Sequence, residues 1–75
     1  MHNEILEILD NIHPEHDFAA SDDFINDGLL DSLDIAILVS KLEEKFNISI
    51  DGEEIIDENF KNQKTLSSLV QKSLT

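Results

Sequence analysis

The stretch Ser32-Leu33-Asp34-Ile35-Ala36-Ile37-Leu38-Val39-Ser40-Lys41-Leu42-Glu43-Glu44-Lys45-Phe46 decides the fold. At about 100° per residue, Ile35, Leu38, Val39, Leu42 and Phe46 fall on one stripe, the pattern of a helix with a core-facing side. Leu33, Ile37, Ser40 and Glu44 then point the opposite way. The helix has a start signal and a stop signal. Asp31 or Ser32 can cap its N-terminus, and Asn47 suits the left-handed residue that ends many helices. The spacing therefore predicts a helix over residues 32–46.

Upstream, residues 14–31 read as one long connection, with Asn26-Asp27-Gly28 as a turn in which Gly28 can supply a positive φ. Phe18, Phe24, Ile25, Leu29 and Leu30 recur within it, so it is expected to pack across the helices. Before it, Ile5, Leu6, Ile8, Leu9 and Ile12 have helical spacing, which predicts a helix over residues 3–12 with Asn3 as N-cap. Pro14 disfavours helix at His13.

Downstream, Ile48-Ser49-Ile50 has no partner strand and reads as an extended link that buries its two isoleucines. Asp51-Gly52 is a turn, and residues 53–58 are expected to form one short helix with Ile55 and Ile56 inward. Phe60 anchors the next loop. Thr65 is expected to open the last helix, in which Leu66, Leu69 and Val70 recur at helical spacing. The predicted fold is all-α: a small four-helix bundle of three main helices plus one short helix, with a long first loop, forming one domain over residues 1–75.

Composition narrows the function. Seventeen Asp and Glu against five Lys and no Arg give a net charge of −12. Residues 1–40 hold ten of the acids and no Lys. Such a surface repels phosphate backbones and anionic membranes, which argues against a nucleic-acid or membrane partner. It would attract a protein with a basic patch, and it reads equally as a device for solubility. The longest apolar run, Ile35 to Val39, is far too short to span a bilayer. No basic segment followed by an apolar one opens the sequence, so a cytoplasmic monomer is the expectation.

Few residues can carry chemistry. With no cysteine there is neither a disulfide nor a thiolate metal site. His2, His13 and His16 could ligate a metal only by converging, and Pro14 argues against a shared helical face for His13 and His16, so they are expected to be solvated and to hold no metal. A Ser-His-Asp hydrolase built on Ser32 would need a pocket and an oxyanion hole that so small a bundle has little volume for. A calcium loop starting at Asp23 would include Asp27, Gly28, Asp31 and Asp34. Its third position is Ile25, however, and its twelfth is Asp34 rather than Glu. Ser32 remains, at the point where the long loop meets the strongest helix. It reads either as a simple cap or as a hydroxyl placed where N-terminal amides would favour an attached phosphate.

This part of the chain resembles the acyl carrier protein family. The resemblance centres on Asp31-Ser32-Leu33, with Asp27-Gly28-Leu29-Leu30 before it and Asp34 after it. It continues through Leu38-Val39, Leu42-Glu43-Glu44, Phe46, Ile48-Ser49-Ile50, Glu53-Glu54 and Asn59-Phe60 to the helix at Thr65. The resemblance implies that Ser32 receives 4′-phosphopantetheine from coenzyme A through a phosphopantetheinyl transferase. The arm's thiol would then carry an acyl group as a thioester, so a protein without cysteine can serve thiol chemistry. It further implies a carrier that is not itself an enzyme, serving fatty-acid, polyketide or related biosynthesis. Its partners would be loading ligases and synthases with basic docking patches.

The helix beginning at Ser32 would be the face such enzymes meet, with Asp31, Leu33, Asp34, Ile37, Glu43 and Glu44 as contacts. Glu53, Glu54, Asp57 and Glu58 are secondary candidates. The sequence departs from the family pattern at Ile37, where fatty-acid carriers commonly have an acid. In addition, Gly28-Leu29-Leu30-Asp31-Ser32 is similar to the wording of D-alanyl and other aminoacyl carriers. An aminoacyl or peptidyl carrier is therefore the alternative within the class, and an unmodified acidic helical interaction module is the alternative outside it.

Overall fold

Helix α2 occupies Ser32–Phe46 in the computed structural model, which describes residues 2–74 and the side chains of residues 3–74. Asp31 is the N-cap. Its side chain accepts the Asp34 N–H at 2.9 Å, and Asp34 Oδ2 accepts the Asp31 N–H at 3.1 Å, so the two acids close a capping box. At the other end Asn47 is left-handed, with φ 54°, and its N–H bonds the Glu43 carbonyl. Ile35, Leu38 and Leu42 are buried, Val39 and Phe46 pack partly buried against them, and Leu33, Ile37, Ser40 and Glu44 are exposed, as the spacing predicts.

Helix α1 spans His2–Ile12, so Asn3 lies inside it rather than capping it. The His13 N–H still reaches the Leu9 carbonyl, and the chain then turns at Pro14. Ile5, Ile8 and Leu9 are buried. The long connection packs across the bundle. A 3-10 turn at Phe18–Ala20 buries Phe18, whose ring meets Phe24 edge-on at 5.2 Å between centroids. The Phe24 N–H donates to the Lys61 carbonyl at 2.6 Å, and Asn62 Nδ2 donates to the Asp22 carbonyl, which fastens the loop to the segment before the last helix. Gly28 takes φ +75°, and the following N–H groups of Leu29 and Leu30 both return to the Phe24 carbonyl. Leu30 is thereby buried one residue ahead of Asp31.

The segment after α2 differs from expectation. No continuous α-helix forms over residues 53–58. Two 3-10 turns take its place, Gly52–Glu54 and Asp57–Phe60, and Ile55 and Ile56 face solvent at 40% and 47% exposure. Six residues are too few to repay the cost of nucleating an α-helix, and four of them are acids that repel one another. Local bonds win instead: Asp51 accepts the Glu53 N–H, and Asn59 Nδ2 donates to the Glu54 carbonyl. The core contact of this stretch is Phe60, which is fully buried.

Helix α3 runs over Gln63–Leu74 and starts earlier than Thr65. Asn62 Oδ1 accepts the Thr65 N–H at 3.0 Å, and Thr65 Oγ1 accepts the Asn62 N–H at 3.1 Å, so Thr65 is the inner partner of a second capping pair. Leu66, Leu69 and Val70 are buried. Helix α1 packs against both α2 and α3. The result is a small all-α bundle of three helices joined by 3-10 turns, with no strand among the described residues. None of these helices is long and apolar enough to cross a membrane.

Candidate functional site at the entrance to α2

The capping box settles which of two neighbours holds the helix. Asp31 does the capping, in an extended conformation (φ −113°, ψ −174°), and Ser32 is therefore released from it. Ser32 is the first residue of α2. It is exposed, and its hydroxyl hydrogen-bonds no other described residue. Burial of Leu30 on one side and Ile35 on the other fixes the backbone that presents it. The Asp34 N–H is taken by Asp31, and the Ile35 N–H by the Asp31 carbonyl. The N–H groups of Ser32 and Leu33 have no acceptor among the described residues. They are the unpaired donors of a helix start, groups of the kind that bind a phosphate.

Behind this entrance sits a group the sequence reading missed. His13 Nε2 lies 2.9 Å from Asp34 Oδ1, although the contact is off the axis of the ring N–H and is not a well-aligned hydrogen bond. On its other side, His13 Nδ1 is 3.0 Å from Glu15 Oε2. The Asp34 contact, reinforced by Glu15, raises the imidazole above its ordinary value against the opposing effect of partial desolvation. For Asp34, desolvation is the largest single influence and pushes the carboxyl up, but bonds from His13 and from the Asp31 N–H together outweigh it and hold the group low.

His13 and His16 are therefore not the separate, solvated histidines expected. The Pro14-Glu15 turn, closed by a bond from the His16 N–H to the His13 carbonyl, folds them back on each other with ring centroids 5.1 Å apart. A turn does here what a helical face could not. The side chain of His2, the third candidate, lies outside the described residues.

The other site residues fall into two groups. Asp31, Leu33, Ile37 and Glu44 are exposed, with Leu33 at 69% and Ile37 at 38% forming an apolar strip down the outer side of α2. Asp34 and Glu43 are half-buried and engaged, Asp34 as above and Glu43 by accepting the Ile50 N–H at 2.8 Å. In the loop, Asp23 accepts from the Asn26 backbone and side chain, and Asp27 accepts from Ser21 Oγ, so these carboxylates serve the turn.

Residues 2–72 match the family described as phosphopantetheine attachment site. The chain belongs to that family. Comparison with curated proteins and with solved structures found no significant match. Members of the family carry 4′-phosphopantetheine covalently, act as carriers rather than catalysts, and meet phosphopantetheinyl transferases and synthases or ligases. The entrance to α2 fits such a group: an exposed hydroxyl with no hydrogen bond to lose stands beside two amide donors with no acceptor.

Proposed function

We propose that Ser32 is the attachment point of 4′-phosphopantetheine, and that residues 1–75 act as one acyl carrier domain for fatty-acid, polyketide or related biosynthesis. The observation that carries this is the division of labour between neighbours, in which Asp31 caps α2 while the Ser32 hydroxyl stays exposed and unbonded. A transferase can reach that oxygen without opening the fold. The new bond from Ser32 Oγ to phosphorus forms as the pyrophosphate link of coenzyme A breaks; adenosine 3′,5′-bisphosphate leaves, and the hydroxyl proton passes to a base of the transferase. Once attached, the arm supplies the thiol on which acyl groups travel as thioesters. The N–H groups of Ser32 and Leu33 would hold the phosphate at the helix start, and tethering would raise the effective concentration of the acyl group at each partner. Use of coenzyme A fits a cytoplasmic location, and the chain itself needs no catalytic group.

Docking is the second half of the function. The exposed side of α2 joins Asp31 and Glu44 to the Leu33–Ile37 strip, inside a field set by a net charge of −12. Asp34 and Glu43 add to that field while keeping their internal bonds, and Glu53, Asp57 and Glu58 extend it beyond α2. An enzyme with a basic rim around an apolar contact suits this face, binding fast, weakly and with salt sensitivity.

One observation favours an aminoacyl carrier as a second reading: Ile37 is exposed where fatty-acid carriers commonly present an acid. Incubation with coenzyme A and a broad-specificity phosphopantetheinyl transferase tests the common part. The expected result is one phosphopantetheinyl group gained in mass by the protein and none by Ser32→Ala. A gain that survives Ser32→Ala overturns it. Loading the holo-protein with an acyl ligase and, separately, with an amino-acid adenylating enzyme decides between the two cargoes.

A further inference from the structure

The turn that brings His13 and His16 together also brings in Glu15. One donor atom from each of the three can be chosen so that all lie within 4.8 Å of one another. Two of the separations are 3.0 Å, from His13 Nδ1 to Glu15 Oε2, and 3.8 Å, from His16 Nε2 to the same oxygen. Ligands about 2.1 Å from a tetrahedral ion stand about 3.4 Å apart, between these two values. An ion would need the Glu15 and His16 side chains, 61% and 31% exposed, to turn towards it.

A second, independent observation points the same way. If His13 ligates through Nδ1, its proton must sit on Nε2, and that atom is enclosed without a hydrogen-bond partner, 2.9 Å from Asp34 Oδ1 but off the ring N–H axis, so that a slight turn of the ring would aim it at the carboxylate. A carboxylate behind a histidine is the usual support of a metal-bound imidazole, since it fixes the tautomer and makes the ring a better donor. Asp34 is in turn held in place by the Asp31 N–H on its other oxygen.

We propose that His13, Glu15 and His16 form a binding site for one zinc-class divalent ion, with Asp34 orienting His13 from behind. The donor set is two imidazoles and one carboxylate. It suits Zn2+ and its neighbours in the transition series, whereas Ca2+ and Mg2+ prefer oxygen alone. This distinguishes it from the diffuse attraction that seventeen acidic residues exert on any cation. The exposed side of Glu15 leaves a fourth position open to water. The ion would tie the start of the long connection, through His13 and Asp34, to the first turn of α2. The site does not depend on the attachment of phosphopantetheine and can be tested on the unmodified protein.

The experiment is a calorimetric titration of metal-stripped protein with Zn2+ in excess Mg2+, which occupies the acidic surface. The expected result is saturation at one ion per chain. His16→Gln, on a half-exposed ring, should weaken binding at least about tenfold. Asp34→Asn should keep a cap side chain on α2 yet weaken binding by about 10–100-fold. Glu53→Gln should bind like wild type, with circular dichroism confirming that every variant is folded. Nitrogen NMR of the imidazoles adds a readout independent of affinity, in which Zn2+ should move Nδ1 of His13 and leave its Nε2 protonated. The proposal is overturned if His16→Gln binds as wild type does, if excess Mg2+ abolishes binding, or if uptake never saturates at one equivalent. Each of these outcomes means adventitious binding by surface acids only.

Discussion

Asp31 and Ser32 are adjacent, both polar and both plausible caps by residue type, yet their substitution by alanine should have opposite consequences. In Asp31→Ala the Asp34 N–H loses its acceptor at 2.9 Å, while the reciprocal bond survives because it uses the Asp31 backbone N–H. Half of the capping box is lost. Losing a cap side chain costs about 1 kcal/mol, and losing a carboxylate from a helix N-terminus costs a further few tenths. In a domain of this size that corresponds to a fall of about 4–8 °C in melting temperature. Asp31→Asn keeps the acceptor and removes only the charge, so it should recover most of the loss. Ser32→Ala removes a hydroxyl that makes no bond and should leave the melt within about 1–2 °C of wild type. Thermal melts followed by far-ultraviolet circular dichroism measure all three. If Ser32→Ala destabilises as much as Asp31→Ala, then Ser32 shares the capping and the reasoning is refuted, together with the idea that its oxygen is free to be modified at no cost to the fold.

Phe60→Ala should cost about 3–5 kcal/mol, because the ring is fully buried, whereas Ile56→Ser, at a side chain 47% exposed, should change stability by less than about 1 kcal/mol. At 0.05–0.15 kcal/mol per residue the whole domain has only about 4–11 kcal/mol, so Phe60→Ala should lose a large share of it, read as a fall in the urea midpoint. Stability should depend on pH through the His13–Asp34 contact. The imidazole is raised from 6.5, so its contribution is complete below that value and is lost as pH rises through the higher folded value. The carboxyl is lowered from 3.8, so its contribution is present above that value and is lost as pH falls through the lower folded one. Melts of metal-free wild type minus His13→Gln should therefore differ most between pH 3.8 and 6.5 and converge as pH rises past the raised imidazole, and a flat difference across that range contradicts the contact. Moderate salt should raise the melting temperature, because a net charge of −12 repels itself over distances that 0.1–0.2 M salt screens; an unchanged melt would count against it.

Much of this was legible because local signals decided it. Helix α2 carries its own cap at Asp31, its own stop at Asn47 and a full apolar stripe between them, and tertiary contacts only confirm what those residues specify. Gly28 and the apolar residues of the long connection behave in the same way. Residues 53–58 were not legible, since so short a segment has no helical stability of its own and follows wherever Phe60 and the Asp51 cap lead it. The start of α3 is hard to place from the sequence because Thr65 resembles a cap, whereas Asn62 outranks it as an acceptor. The pairing of His13 with Asp34 joins distant parts of the chain, and no periodicity in either neighbourhood encodes it. What did lie in the sequence was the His-Pro-Glu-His spacing, which signals convergence once Pro14 is read as a turn maker as well as a helix breaker.

Helix α1 packs on both α2 and α3, so the two ends of the chain meet in the core. Neither half of the sequence contains a finished hydrophobic unit, and a nascent chain that has made α1 and α2 still lacks Leu66, Leu69 and Val70 against which to close. Folding should therefore be all-or-none. The core behind α2 then closes only when the last helix has docked, so removal of α3 should cost the fold as a whole and not one helix alone.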